Sequence, residues 1–376
     1  MLTTLCTRVL TSVAVGLLLQ VAAGCAEQAA STEAAASASA PPKIDPLVHT
    51  PVPVVLDGRF EVATPAGRGI VPIHVTRDWS VPQPDVTRAV VVIHGWPRRD
   101  LASADNAAIK AGAAAEHTIV VTPQFLIAAD IKAHHLPGDM LHWGRDGWKT
   151  GYDAHGPAPI SSFSVIDTIF TRLADRRLFP SLKQVVLAGH SAGGQYVQRY
   201  AAVGRGDAPL LAHGIAIRYV VANPSSYLYF DAARPVATTA ASCAHFDRWE
   251  YGLEGELPRY VEQPVSASAI KAHYLAQDIV YLLGTADNDP NHKQLDRSCG
   301  AEAEGPTRLA RGLSYVAWLR AQSGGHSGGD FSQRVVEVPG VGHSSTRMYA
   351  STCGIAALFD RAGCEAMDAA FAAKGR

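Results

Sequence analysis

The stretch that decides the reading is Gln184-Val185-Val186-Leu187-Ala188, followed by Gly189-His190-Ser191-Ala192-Gly193 and then by Gln195-Tyr196-Val197-Gln198-Arg199-Tyr200. An apolar strand, a turn of small residues and a helix are the three parts of a nucleophile elbow, in which strained backbone lifts a serine Oγ out of the helix line. The pattern G-x-S-x-G is weak by itself in a chain with 33 glycines, and Gly325-His326-Ser327-Gly328-Gly329 matches it as well. Ser327 follows a helix end, sits among Gly324, Gly325, Gly328 and Gly329, and has no strand before it. Context therefore selects Ser191 as the candidate nucleophile and makes Ser327 a decoy.

On either side of the elbow, short β-branched apolar runs alternate with longer helical stretches. Strands are expected at 54–56, 70–75, 89–93, 118–122, 184–188, 217–222, 279–284 and 334–338, and helices at 105–115, 161–176, 192–202, 266–275, 307–321 and 354–373. Several of the strand runs lack polar alternation, as strands buried on both faces of a parallel sheet do. The expected fold class is α/β, a doubly wound and mostly parallel sheet. Two segments break the alternation. Residues 124–160 carry His134, His135, His142, Trp143 and Trp148, and residues 223–263 carry Tyr227, Tyr229, Phe230, Phe246, Trp249 and Tyr251. Both read as long loop or cap insertions. Their aromatics are expected to wall a pocket, with filling of core beneath the loops as the alternative.

Placed in this alternation, the Ser191 elbow resembles that of the α/β-hydrolase fold serine hydrolases, the family of esterases and lipases, over most of residues 85–350. The resemblance implies the chain order nucleophile, acid, histidine, and an oxyanion hole after the third strand. Ala89-Val90-Val91-Val92-Ile93-His94-Gly95-Trp96-Pro97 looks like that strand and its turn. The N–H groups of Trp96 and Ala192 would then bind a developing oxyanion, while His94, Gly95, Gly189, His190 and Gly193 would support the two turns. Ile279-Val280-Tyr281-Leu282-Leu283-Gly284-Thr285-Ala286-Asp287 ends where the family carries its acid, which points to Asp287, with Asp289 behind it. Val335-Val336-Glu337-Val338-Pro339-Gly340-Val341-Gly342-His343 is a last strand, a glycine turn and the candidate base. The implied activity is hydrolysis of carboxylic esters through an acyl-enzyme. The same groups cleave amides, so a serine peptidase or amidase is the alternative, and thioester cleavage stays open. The His-Gly-Trp-Pro turn also resembles that of epoxide hydrolases and haloalkane dehalogenases. Those use an aspartate where this chain has Ser191, which argues against both. A non-catalytic binding lipoprotein is disfavoured because all three members are present.

Metal and cofactor readings fare worse. Asp287, Asp289 and Asn291 have the D-x-D-x-N spacing of a calcium loop, but His292 and Ser298 stand where an EF-hand needs Gly and Glu. The histidines at 134, 135 and 142 lack a zinc-protease spacing. No metal and no cofactor is expected.

Hydrophobic residues at 47 % and charged residues at 18 % support a sizeable core, and a net charge of -1 supplies no counter-ion term for nucleic acid. The expected partner is an ester-containing small molecule, lipid or polymer, and the expected state a monomer. Residues 1–24 read as a signal peptide. Ala22-Ala23-Gly24-Cys25 resembles a bacterial lipobox, with Ala22 where Leu is usual, so Cys25 is the expected lipidation site. Cleavage with release, or an uncleaved anchor, are the alternatives. Residues 25–50, rich in Ala and Ser, read as a tether, and 51–376 as the hydrolase domain. The expected location is outside the cytoplasm, held to the cell membrane or outer membrane through lipid alone, or secreted. Cys243, Cys299, Cys353 and Cys364 then lie where disulfides form, in any of three connectivities. We favour Cys243 with Cys299 and Cys353 with Cys364. An unbroken helix would hold the second pair about 16 Å apart, so that bridge requires a break, for which Gly354 or Gly363 could serve.

Overall fold

The structure is a computed structural model that describes residues 46–261, 264–322 and 333–367. The leader 1–24, Cys25, the tether up to residue 45 and the decoy Ser327 lie outside the described residues.

The strands in chain order are β1 (Gly58–Thr64), β2 (Gly67–Val75), β3 (Arg88–Ile93), β4 (Thr118–Pro123), β5 (Leu126–Ile127), β6 (His142–Trp143), β7 (Gln184–His190), β8 (Ala216–Ala222), β9 (Ile279–Gly284) and β10 (Arg334–Val338). The α-helices are α1 (Ser103–Ala111), α2 (Ala128–Ala133), α3 (Ser162–Leu173), α4 (Ala192–Val203), α5 (Asp207–Ala212), α6 (Ala267–Leu275), α7 (Cys299–Glu302), α8 (Arg308–Gln322), α9 (Ser345–Tyr349) and α10 (Thr352–Phe359). Among the described residues, eight strands form one sheet in the order β1-β2-β4-β3-β7-β8-β9-β10. From β4 to β10 neighbouring strands run parallel, and β1 and β2 add an antiparallel edge.

Successive side chains of a strand point to opposite faces, and both faces here are covered. Val91, Ile93, Leu187, Val221 and Leu283 join a core with residues of α3, α4 and α8, whereas Val90, Val92, Ala188, Val220 and Leu282 join one with α1, α9 and α10. This is why the central strands read as continuous apolar runs. A fully buried aliphatic side chain of this kind contributes about 1.5–3 kcal/mol. The chain runs outward from β3 to β4 and then returns to the other side of β3 with β7. Order therefore reverses between β3 and β7, and crevices at the carboxyl ends of such strands hold ligands in parallel sheets.

Three expectations need correction, and one strand went unread. Residues 54–56 are not a strand: the Gln124 side chain accepts from Leu56 N–H at 3.0 Å and donates to the Val54 carbonyl at 3.0 Å, so their polar groups are met without a ladder. Strand β1, by contrast, was hidden by its half-exposed, polar alternation. The helix expected over 354–373 ends at Phe359, where Asp360 takes a left-handed conformation (φ 55°), and Gly363 (φ 113°) lies in the reversal. That reversal brings Cys364 back to Cys353, with Cα atoms 4.9 Å apart, and the second disulfide joins Cys243 to Cys299. Lastly, many of the insertion aromatics fill core. Trp143, Trp148, Tyr227 and Tyr229 are fully buried, and Tyr227 stacks on Tyr315 of α8 with ring centroids 4.4 Å apart.

Candidate active site

The elbow forms between β7 and α4. Ser191 is the N-cap of α4 with φ 60° and ψ −122°, a region that L-residues rarely occupy, and its N–H donates to the Ala222 carbonyl of β8 at 2.9 Å. The neighbouring glycines are imposed by crowding. A Cβ on Gly193 would run into the carbonyl oxygens of Ile93 and His94, and one on Gly189 into the Gly193 carbonyl. Gly95 lies beside the serine: a Cβ there would stand 3.8 Å from that of Ser191. The turn after β3 therefore flanks Oγ, and Ala192 opens α4, where a backbone N–H has no carbonyl one turn earlier to bind.

His343 comes from the turn after β10. Its Nε2 is 2.9 Å from Ser191 Oγ, and its Nδ1 is 2.7 Å from Asp287 Oδ2. Asp287 follows β9 and is held at three more points: its N–H donates to the Gly284 carbonyl, its carbonyl accepts from Leu309 N–H, and Oδ1 takes Arg308 Nη1 at 3.3 Å. Asp289, the reserve choice for the acid, instead accepts from Asn291 N–H at 2.8 Å. Ser191 and Asp287 are only 4 % and 3 % exposed. Burial pushes the Asp287 carboxyl up, against the opposing pull of Arg308, and burial followed by the Arg308 charge and His292 holds His343 well below the usual histidine range. The resting ring is a neutral imidazole, able to accept a proton at Nε2 while Nδ1–H points at the carboxylate.

The supporting residues take distinct places. His94 is buried, and its Nε2 accepts from Phe125 N–H at 3.0 Å while Nδ1 is 2.9 Å from the Gly95 carbonyl. One ring nitrogen must accept and the other donate, so His94 is a neutral turn-holder, brought down to about 4 mainly by burial. His190 packs its ring 4.7 Å from that of His343, and burial, then His343, lowers it well below the usual range. The Arg145 guanidinium lies 5.6 Å from the centre of the partly buried Trp96 ring.

Several residues at the site escaped the sequence reading. Asn223, at positive φ after β8, accepts from Gly284 N–H at 2.8 Å and reaches the Gly342 carbonyl at 3.4 Å, joining the acid and histidine turns. His292 sets its ring 4.9 Å from His343, and Arg308 and Ser225 stand behind Asp287. Arg308 had a usable signal: it opens a helix with no acidic residue in its first turn, and a cation there opposes the helix dipole. Among the described residues no three His, Cys, Asp or Glu side chains gather as a metal site, and no helix is long and apolar enough to cross a membrane.

Comparison by sequence finds no family model and no curated protein that matches the chain. Comparison of the fold does find relatives. Poly(aspartic acid) hydrolase-1 from Sphingomonas sp. KT-1 is similar at a TM-score of 0.52 and 25 % identity, over 80 % of this chain and 96 % of that one. LpqC, a poly(3-hydroxybutyrate) depolymerase from Bordetella parapertussis, is similar at a TM-score of 0.56 and 22 % identity, over 83 % and 94 %. The chain has the α/β-hydrolase fold. In this fold Ser191, Asp287 and His343 follow the carboxyl ends of β7, β9 and β10, beside the reversal in strand order.

Proposed function

We propose that the protein is a serine hydrolase that cleaves carboxylic esters outside the cytoplasm, with Ser191 as nucleophile, His343 as base and Asp287 as the acid that orients it. The observation that carries this reading is the unbroken chain from Ser191 Oγ through both nitrogens of His343 to Asp287 Oδ2, at 2.9 and 2.7 Å. Oγ attacks the ester carbonyl as its proton passes to Nε2. Asp287 keeps the other proton on Nδ1 and stabilises the imidazolium. The carbonyl oxygen, now negative, faces the N–H groups of Trp96 and Ala192. Loss of one such donor costs about 10²–10³ in rate. Collapse expels the alcohol, which takes the proton from Nε2. A water then repeats the sequence on the acyl-enzyme and releases the acid and free Ser191.

Amide cleavage is the second reading, and the similarity to a poly(aspartic acid) hydrolase favours it, because that polymer's backbone is built of amides. Rates on chromogenic esters of increasing acyl length, with an anilide of the same acyl group alongside, decide between them. Faster turnover of the ester supports the proposal, and faster turnover of the anilide replaces it with an amidase.

The two disulfides suit an oxidising compartment. Anchoring through lipid on Cys25 extends this proposal to location, and Cys25→Ala would then release the protein from the membrane fraction without changing its turnover.

A further inference from the structure

We propose that Arg308 is a positioning residue of this site: it pins the Asp287 carboxylate on the side away from His343 and places a fixed positive charge behind the Asp287–His343 pair. This rests on the hydrolase reading above and adds a residue to it.

Arg308 is the first residue of α8 and is 1 % exposed. Its guanidinium works in two directions, with Nη1 3.3 Å from Asp287 Oδ1 and Nε donating to Ser225 Oγ at 2.8 Å. The next residue, Leu309, donates its N–H to the Asp287 carbonyl at 3.2 Å, so the start of α8 grips the acid by backbone and side chain together. One turn on, Arg311 binds the carbonyl oxygens of Ser225, Gly305 and Asp296 and fixes the loop that holds Arg308 in place.

Stability does not account for this arrangement. A buried ion pair roughly breaks even against apolar packing, and a cation in the first turn opposes the helix dipole. What the arrangement supplies is geometry and charge. The titratable and charged groups facing His343 are Asp287 from the turn after β9, Arg308 from α8, His292 from the loop between them and His190 from the elbow. Burial lowers both His292 and His190, which leaves Asp287 and Arg308 as the charged members of the set. With Arg308 present the negative charge of the carboxylate is shared between two cationic partners once His343 takes a proton. Removing Arg308 raises the proton affinity of the Asp287–His343 pair whichever member receives the proton.

The test is the pH dependence of kcat/KM on a chromogenic ester for the wild type, Arg308→Met and Arg308→Lys, with folding followed by circular dichroism. In Arg308→Met the acidic limb is expected to move up by about one pH unit or more, the size of effect one neighbouring charge produces, together with a lower kcat. Arg308→Lys keeps the charge but cannot make both bonds, so its limb stays with the wild type while kcat falls. A folded Arg308→Met enzyme whose limb does not move overturns the proposal. If Arg308→Met does not fold, Arg308→Lys decides: a limb that stays supports the charge argument, and a limb that rises despite the retained charge contradicts it. A wild type that turns over no ester or anilide is a different outcome and counts against the hydrolase reading itself.

Discussion

Asp287 presents Oδ2 to Nδ1 of His343 at 2.7 Å across 56 positions of sequence, a contact made because β9 and β10 are parallel neighbours whose following turns open on the same edge of the sheet. An amide in place of that carboxylate would offer an N–H to Nδ1 and favour the wrong tautomer. Asp287→Asn is therefore expected to fold normally and to lose about 10⁴ in kcat. Steady-state rates on a chromogenic ester, with thermal melting as the folding control, check this. A loss of less than about tenfold would show that the pair is not acting as proposed.

Gly193 is predicted to be irreplaceable for reasons of space. Its Cβ position is occupied by the carbonyl oxygens of Ile93 and His94, which belong to the end of β3 and cannot swing aside as a side chain can. Gly193→Ala should destabilise the fold by about 1–3 kcal/mol, and it should also displace the turn that flanks Ser191. Denaturant titration measures the first effect. Unchanged stability would mean that the elbow and the turn after β3 approach less closely than described.

The two disulfides should differ in weight. Cys243–Cys299 closes a loop of 56 residues and Cys353–Cys364 one of 11. Loop-closure entropy gives about 4 kcal/mol for the first and about 3 kcal/mol for the second. Replacing each pair by serines and comparing denaturation midpoints tests the order. The longer loop also ties the 223–263 insertion to the segment that follows Asp287, so its loss should lower turnover as well. Equal stability losses with turnover intact would contradict this.

His94 predicts a pH effect on stability with a definite sign. Its folded value of about 4 lies below the ordinary histidine value, so the unfolded chain takes up a proton first as the solution is acidified. The stability His94 contributes is complete above about pH 6.5 and is lost as pH falls towards the folded value. His94→Gln removes this dependence, and its penalty in melting temperature relative to wild type should shrink between pH 7 and pH 5. A penalty that is constant or grows on acidification would show that His94 is not the buried neutral turn-holder described.

The legible part of this molecule was its interior. β7 and β9 could be read because strands buried on both faces carry little but aliphatic side chains, and Ser191 and Asp287 were reached because each follows such a strand, whereas His343 follows the half-exposed edge strand β10 and was reached through its glycine turn. The rest depended on partners far away in the chain. Residues 54–56 carry strand-like side chains, yet the side chain of Gln124 satisfies their backbone. Helix α10 stops at Phe359 in the reversal that returns Cys364 to Cys353, a break that the favoured pairing demanded and Gly363 helps to make, while the helical composition of 354–373 read straight through it. Trp148 and Tyr227 could line a pocket or fill core according to sequence, and only the packing against His94 and Tyr315 decides for core. Arg308 and Asn223 escaped because each serves the site through another residue rather than through a motif.

Ser191, and no other serine, is proposed to be an activated nucleophile. Incubation of the folded protein with a fluorophosphonate, followed by peptide mass mapping, tests it directly. One adduct per chain is expected, on Ser191, and it disappears in Ser191→Ala. Folded wild-type protein that takes up no label, or that carries it on Ser327, would contradict it.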